Sequence, residues 1–480
     1  MSILKNEQVK IKCQRFTPDE TVINMLQMAG YEEPNKIIGK RFLDNSFGSG
    51  NILAEAVERY IGACERSGYL PVEISEMLQR DIYGIELDET LFDMCQSRLD
   101  TIAEKHHLPK VSWNLICADA LRLDTNVKFD YIVGNPPYIA YREIDDENRK
   151  YLREKYKSCS QGKFDYCYAF IEKSIGMLGK NGILVELVPN NIYKNVFAEN
   201  LRAMLRPCIT RIDIFPAQKL FKEVLTSASI FVYIDSTRSE KVLCRDITGK
   251  QDYLIERKAL AGKWIFREFK VMQETTYRFG DYFNASSAVA TLLNEAFILN
   301  QKAKAVSDIE EAILRPAVSP KSKHFKRTEY IIFPYYYEDG RLCHIKPEDF
   351  EKEYPGASKH LKLFIDKLKA RKADKNAQWY EYGRTQALQH INQEKLLMST
   401  VVTNSVEVYR ISQLEVPYTG IYVVPKGDKT IDYAEKILKS KDFMDYIRGI
   451  GISVNGKSVR ITCADINNYK FKMGDPAWKN

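Results

Sequence analysis

The chain has 480 residues, 45% of them hydrophobic and 28% charged, with a mean hydropathy of −0.36 and a net charge of +7. That length supports two or three domains with a substantial core. No apolar stretch reaches the ~18 residues that span a bilayer, and the opening Met-Ser-Ile-Leu-Lys-Asn-Glu lacks the zones of a signal peptide, so a cytoplasmic protein without a membrane partner is expected. The ten cysteines are scattered with no C-x-x-C pair, which argues for reduced thiols and against a disulfide scaffold or a metal site of the zinc-ribbon kind.

In chain order, short β-rich runs alternate with helical patterns through the first half, the signature of an α/β sheet with crossovers. The expected strands are Arg41–Asp44, Ile82–Leu87, Trp113–Cys117, Tyr131–Val133, Gly182–Val188, Ile209–Phe215 and Ser229–Ile234. Helical patterns cover Ile52–Ser67, Glu89–Lys105, Tyr166–Leu178 and Phe197–Leu205. The first strand runs into Asn45-Ser46-Phe47-Gly48-Ser49-Gly50 and then an apolar helix. Glycines there let the backbone turn tightly against a ligand at a helix start, although a purely structural turn explains a G-x-G equally well. The second strand ends at Glu86, beside Leu87 and Asp88, where a carboxylate can take both hydroxyls of a ribose. The third ends at Cys117-Ala118-Asp119-Ala120, where Asp119 can accept from an adenine amino group.

The fourth strand carries the most specific signal, Asn135-Pro136-Pro137-Tyr138, directly after Tyr131-Ile132-Val133-Gly134. Two prolines fix φ, remove two donors and push Asn135 out of helical geometry. A carboxamide, bare carbonyls and an aromatic face are thereby held in fixed relation, a kit suited to gripping a planar nitrogenous group. Polar residues 139–163 read as a mobile loop over a substrate, with Tyr141, Arg142 and Lys163 as candidate contacts; an inert solvated loop fits as well.

After about Ser236 the alternation fades, and basic clusters (Lys321, Lys323, Lys326, Arg327; Arg371, Lys372, Lys375) mix with aromatics (Phe333, Tyr335, Tyr336, Tyr337, Trp379, Tyr380, Tyr382). Residues 1–240 carry −3 and residues 241–480 carry +10 of the net charge of +7. An acidic half followed by a basic half suggests chemistry in one part and polyanion binding in the other. Asn455-Gly456 lies between short apolar runs and reads as a hairpin turn, which would present Lys457 and Arg460.

Taken in order, these motifs resemble those of the gamma-class, AdoMet-dependent N6-adenine DNA methyltransferases of restriction–modification systems, over about residues 12–235. Gln14-Arg15-Phe16-Thr17-Pro18 looks like the motif that packs on the methionine part of AdoMet, with Thr17 as its ligand residue. Asp44–Gly50, with Asp44, Ser46, Gly48 and Gly50, resembles the AdoMet glycine loop. Glu86 with Leu87 resembles the ribose site, and Asp119 with Ala120 the adenine site. Asn135–Tyr138 matches the catalytic motif in full, and Phe221 looks like the late aromatic that closes on the target base. Asn45 departs from the proline usual in the glycine loop, and Ala120 from the larger residue that often covers the cofactor adenine.

The resemblance implies a Rossmann-like methyltransferase sheet with helices on both faces over residues 1–237, and a mixed α/β target-recognition domain over 238–480. It implies AdoMet as cofactor, with catalysis by Asn135, Pro136, Tyr138 and Phe221. Candidate DNA contacts are Arg142, Lys321, Lys323, Arg327, Tyr336, Arg371, Arg384, Lys457 and Arg460. The expected partner is duplex DNA of defined sequence, met by a monomeric, standalone modification enzyme in a prokaryotic cytoplasm, with any cognate endonuclease acting separately. The first cofactor motif begins at Gln14, and no D…E-x-K nuclease pattern stands out elsewhere. RNA adenine, cytosine N4 and protein glutamine methylation are the competing chemistries. A non-catalytic nucleic-acid-binding protein on the same fold is the competitor from another class.

Overall fold

The computed structural model describes residues 17–215, 228–247, 251–266, 276–454 and 458–472. Two compact units result, residues 1–268 and 269–480. The boundary expected at 237/238 therefore moves about thirty residues later. The reason is that Lys241–Asp246 and Gln251–Glu256 extend the sheet of the first unit and do not open the second.

In the first unit the strands are β1 (Phe42–Asp44), β2 (Ile82–Glu86), β3 (Asn114–Cys117), β4 (Phe129–Gly134), β5 (Leu178–Pro189), β6 (Ile209–Phe215), β7 (Ala228–Ile234), β8 (Lys241–Asp246) and β9 (Gln251–Glu256). They form one nine-stranded sheet in the order β3-β2-β1-β4-β5-β7-β6-β8-β9. The run from β3 to β5 is parallel, and β7 is antiparallel to both β5 and β6. Successive connections lead from β1 to one side and from β4 to the other. Strand order thus reverses between β1 and β4, the position where open α/β sheets leave a crevice at their carboxyl ends.

Seven helices matter for the site: α1 (Asp19–Met28), α2 (Asn51–Arg66), α3 (Pro71–Asp81), α4 (Glu89–Lys105), α5 (Asp146–Lys155), α6 (Cys167–Met177) and α7 (Glu199–Leu205). Helix α2 buries Ile52, Leu53, Ala56, Val57, Tyr60, Ile61 and Cys64, the three-and-four spacing of one helical face. Each large apolar side chain so buried contributes about 1.5–3 kcal/mol. Residues of α1 to α4 pack with Phe42, Tyr131, Val133 and Val185 in one core, while α5 to α7 pack with Leu43, Ile132 and Leu184 in another. The sheet is therefore covered on both faces, as expected.

Residues 139–163 are not an open loop. Tyr141–Glu143 forms a short 3-10 turn, α5 follows, and Ile144, Leu152, Tyr156 and Cys159 are buried. Leu152 is the one buried residue of α5, so the segment carries no apolar stripe by which a helix is recognised.

The second unit holds two four-stranded sheets. One aligns Phe283–Ser287, Ile421–Pro425, Lys395–Met398 and Val408–Ile411; the other aligns Ile298–Asn300, Glu329–Ile332, Leu314–Val318 and Val416–Pro417. Short helices lie between these strands, which makes the unit mixed α/β. Its aromatics are mostly structural. Phe333, Tyr335, Tyr380 and Tyr382 are buried, and Phe350 stacks on Tyr380 with ring centroids 4.1 Å apart. Ile452–Ser453 and Val459–Arg460 pair antiparallel, the two arms of the expected hairpin. Among the described residues no helix is long and apolar enough to cross a membrane.

Candidate active site

The site is built on the carboxyl ends of β1, β2 and β4. Asp44 ends β1 and is buried, and its carboxyl is pushed up to about 8 by burial, with a further contribution from the nearby Glu86 charge. The Ser46 amide donates to Asp44 Oδ1 at 3.2 Å and turns the chain away from the strand. Gly48 and Gly50 then take φ of +56° and +82°, the left-handed region where a Cβ is strained. Gly50 caps α2, so the first turn of that helix faces the crevice with its amide groups.

Glu86, ending β2, is the most heavily hydrogen-bonded acid of the site. Its Oε2 accepts from Gly48 N at 2.9 Å, and its Oε1 accepts from Leu87 N at 2.8 Å and Asp88 N at 3.0 Å. The carboxylate thereby pins the glycine loop onto β2. Asp88 caps α4 by accepting from Thr90 N and Leu91 N, so the two neighbouring acids have separate duties. Leu87 is half exposed at the rim. Asp119 accepts from Leu121 N at 2.9 Å and pairs with Arg122 at 3.3 Å, whereas Ala120 is buried among core residues.

Beyond β4 the tetrapeptide is held on three sides. Asn135 Nδ2 donates to Thr17 Oγ1 at 3.1 Å, which makes Oδ1 the acceptor end of that amide. Ser46 Oγ donates to Asn135 O at 3.4 Å, and Tyr138 Oη donates to Leu187 O at 2.7 Å, which fixes the ring. Pro136 is buried. A small cavity is lined by Thr17, Asp44, Ser46, Gly48, Asn51 and Asn135. Thr17, Asp44, Ser46, Gly48 and Asn135 are thus brought together as expected, with Glu86 immediately behind Gly48. Phe221 and Lys457 lie outside the described residues, as do residues 14–16.

Sequence reasoning missed Asn51, whose Nδ2 donates to Thr17 O at 2.9 Å. It also missed Ser174 and Glu186, which sit under the tetrapeptide. A glutamate within the apolar run Gly182–Val188 was the available signal.

The candidate contacts elsewhere divide. Arg142 is exposed, with a 3.7 Å pair to Glu143. Tyr141 is partly buried: Arg149 lies over its ring at 4.5 Å, and Arg153 donates to its hydroxyl at 2.8 Å. In the second unit Lys321, Arg327, Tyr336 and Arg460 are exposed. Lys323 is paired with Glu415 at 2.5 Å, and Arg384 with Asp374 at 3.0 Å. Arg371 is a correction. It donates to Leu368 O, Thr291 O, Trp379 O and Glu381 O, so four of its five donors hold the backbone together.

Comparison with known proteins agrees with this architecture. Residues 73–221 match the profile of the Eco57I restriction-modification methylase family. The chain is 24% identical to the Type II methyltransferase M.BstVI of Geobacillus stearothermophilus, over 96% of this chain and 90% of that protein. It is 23% identical to the Type II restriction enzyme and methyltransferase RM.Eco57I of Escherichia coli, over 85% of this chain, and spans only about half (51%) of that longer protein. Among solved structures, the Type IIL restriction-modification enzyme MmeI in complex with DNA superposes with a TM-score of 0.62 at 13% identity, covering 97% of this chain and 67% of the other. The family segment runs from β2 to β6 and the fold is shared along the length of the chain, which makes the chain similar to the restriction–modification methyltransferases.

Proposed function

We propose that the protein transfers a methyl group from AdoMet to the N6 amine of an adenine flipped out of duplex DNA of defined sequence. The observation that carries this reading is the orientation of Asn135, whose amide is anchored through Nδ2 to Thr17 beside the Asp44–Gly50 loop. AdoMet fits the residues present. Its charged methionine end would meet Thr17, Asp44 and the amides at the start of α2, its ribose Glu86, and its adenine Asp119. When bound, AdoMet supplies a methyl already activated by the sulfonium.

The protein's part is to make a poor nucleophile competent. The lone pair of an exocyclic adenine amine is delocalised into the ring. Asn135 Oδ1 and the Pro136 carbonyl accept its two hydrogens, favour a more tetrahedral nitrogen and stabilise the charge it develops. No strong base is required for that role. Tyr138, its ring fixed through Leu187 O, offers a face for stacking the base. Phe221 is assigned to the opposite face from its place in the motif. Flipping the base costs a few kcal/mol, offset by stacking and hydrogen bonds in the pocket.

The second unit is assigned target recognition, with Lys321, Arg327 and Arg460 as exposed cations for phosphates. The name of RM.Eco57I couples restriction and methylation in one protein, whereas that of M.BstVI, matched over 90% of its length, carries methylation alone. That likeness supports a modification enzyme acting in a prokaryotic cytoplasm, apart from any cognate endonuclease. Tritiated-methyl transfer to duplex DNA, followed by nucleoside analysis, tests the chemistry. Label in N6-methyladenine is expected; label confined to N4-methylcytosine, RNA or protein overturns the reading.

A further inference from the structure

Glu186 is fully buried in the middle of β5. In the parallel register it lies beside Gly134, the last residue of β4 before Asn135. Register partners in a parallel pair project to the same face of a sheet. On that face, the place a Cβ on Gly134 would take lies 3.5 Å from Asp44 Oδ1 and 3.6 Å from Asn45 Oδ1. Glu186 and Asn45 therefore share one pocket beneath the catalytic tetrapeptide.

Helix α6 supplies the link between them. Asn45 Nδ2 donates to Ser174 Oγ at 2.9 Å, and Ser174 Oγ donates to Glu186 Oε1 at 2.8 Å. Two atoms of this network are left over, Asn45 Oδ1 and Glu186 Oε2. Both are buried acceptors with no donor among the described residues. A buried acceptor without a donor costs about 1–3 kcal/mol, and an ionised one more. One hydrogen, placed between the two, would satisfy both.

We propose that Glu186 is a positioning residue that holds a proton on Oε2 and donates it to Asn45 Oδ1, closing an Asn45–Ser174–Glu186 ring that fixes the start of the glycine loop. The electrostatic surroundings agree, because burial pushes the Glu186 carboxyl up to about 8 and no cation among the described residues acts to lower it. The groups facing it are Asp44 from β1, itself raised to about 8, Ser174 and the Cys167 thiol from α6, and the apolar Phe231 in register on β7. The ring reaches the chemistry through two residues. Asn45 sits between Asp44 and Ser46, and Ser46 Oγ holds Asn135 O. Ionising Glu186 would set a negative charge against Asn45 Oδ1 and Asp44 and release the loop.

The test compares wild-type protein with Glu186→Gln, whose amide keeps an acceptor and a donor in the same places, by thermal unfolding of the full chain across pH. The unfolded chain loses the Glu186 proton above about pH 4.5 while the folded chain keeps it to about pH 8, so wild-type stability falls as pH rises through that window. Glu186→Gln lacks that slope, and the slope from Asp44 is common to both proteins. The melting temperature of the variant should therefore gain on wild type by several degrees between about pH 5 and 8. Parallel curves overturn the proton. Should the variant fail to fold, infrared spectra of wild-type protein carrying 13C-labelled glutamate decide it. A protonated glutamate carbonyl band near neutral pH that vanishes in alkali is expected, and its absence refutes the proposal.

The positioning role, which rests on the cofactor reading, is followed by AdoMet calorimetry. Glu186→Gln should bind as wild type does at about pH 6 and several-fold more tightly than wild type at about pH 9. An unchanged affinity ratio overturns positioning. A wild-type chain that binds no AdoMet at either pH refutes the functional reading instead, and leaves the unfolding curves to decide the proton.

Discussion

Replacing Gly50 with alanine tests how the glycine loop is built, because the structure separates two costs at one position. Gly50 has φ of +82°, where an L-residue loses about 1–2 kcal/mol. A Cβ there would also overlap Cys95 Sγ and come within 3.0 Å of Cys95 Cβ, both on α4. Overpacking of this kind costs about 1–3 kcal/mol. Gly50→Ala should therefore destabilise the first unit by about 2–5 kcal/mol. Cys95→Ala removes the sulfur but not the strain in φ. Truncating that buried thiol alone costs about 1 kcal/mol, and the double variant should recover about 1–3 kcal/mol over the sum of the single losses. Urea unfolding of the four proteins measures the cycle, read on the transition of the first unit. Strict additivity would show that α4 yields freely to the new methyl. A Gly50→Ala loss below about 1 kcal/mol would refute the strain argument as well.

Three further outcomes are expected. Glu86→Gln keeps the size of the side chain but has one acceptor oxygen for the three amides that Glu86 now satisfies; AdoMet affinity by calorimetry should fall about tenfold or more, roughly 1.4 kcal/mol, and an unchanged affinity refutes its role. Arg371→Ala removes four donors from backbone carbonyls and should lower the stability of the second unit by about 2–4 kcal/mol. Normal stability together with a DNA salt slope reduced by about one would instead make Arg371 a phosphate contact. A fragment ending at residue 237 lacks β8 and β9 and leaves β6 as a bare sheet edge, so it should aggregate while a fragment ending at 268 stays soluble; equal behaviour in light scattering would contradict the later boundary.

The parts of the site that could be read from the chain are those whose chemistry is local. Asp44, Glu86 and Asn135 each follow a short apolar strand, and each motif contains its own turn. The ring under them joins residues 129 positions apart, Asn45 to Ser174, and no local pattern encodes such a pairing. Helix α5 escaped notice because its polar faces are solvated and only Leu152 is buried. The stretch that forms β8 and β9 falls beyond the expected boundary because the alternation of strand and helix patterns fades after about Ser236 while strand pairing continues past it. In the second unit, a Tyr or Phe beside Lys or Arg reads alike whether it lines a core or a surface. The structure buries Tyr335, Tyr380 and Tyr382 and leaves Tyr336 about half exposed (48%).

The bond from Asn135 to Thr17 spans 118 positions of sequence. The acceptor end of the amide is thus set by Thr17, a residue just ahead of α1 and far from β4 in sequence. Nine strands can be in place before that bond is made. For an engineer this makes the segment around Thr17 a latch: a fusion or crosslink that lifts it should silence the chemistry while leaving the sheet, and any spectroscopic measure of folding, intact.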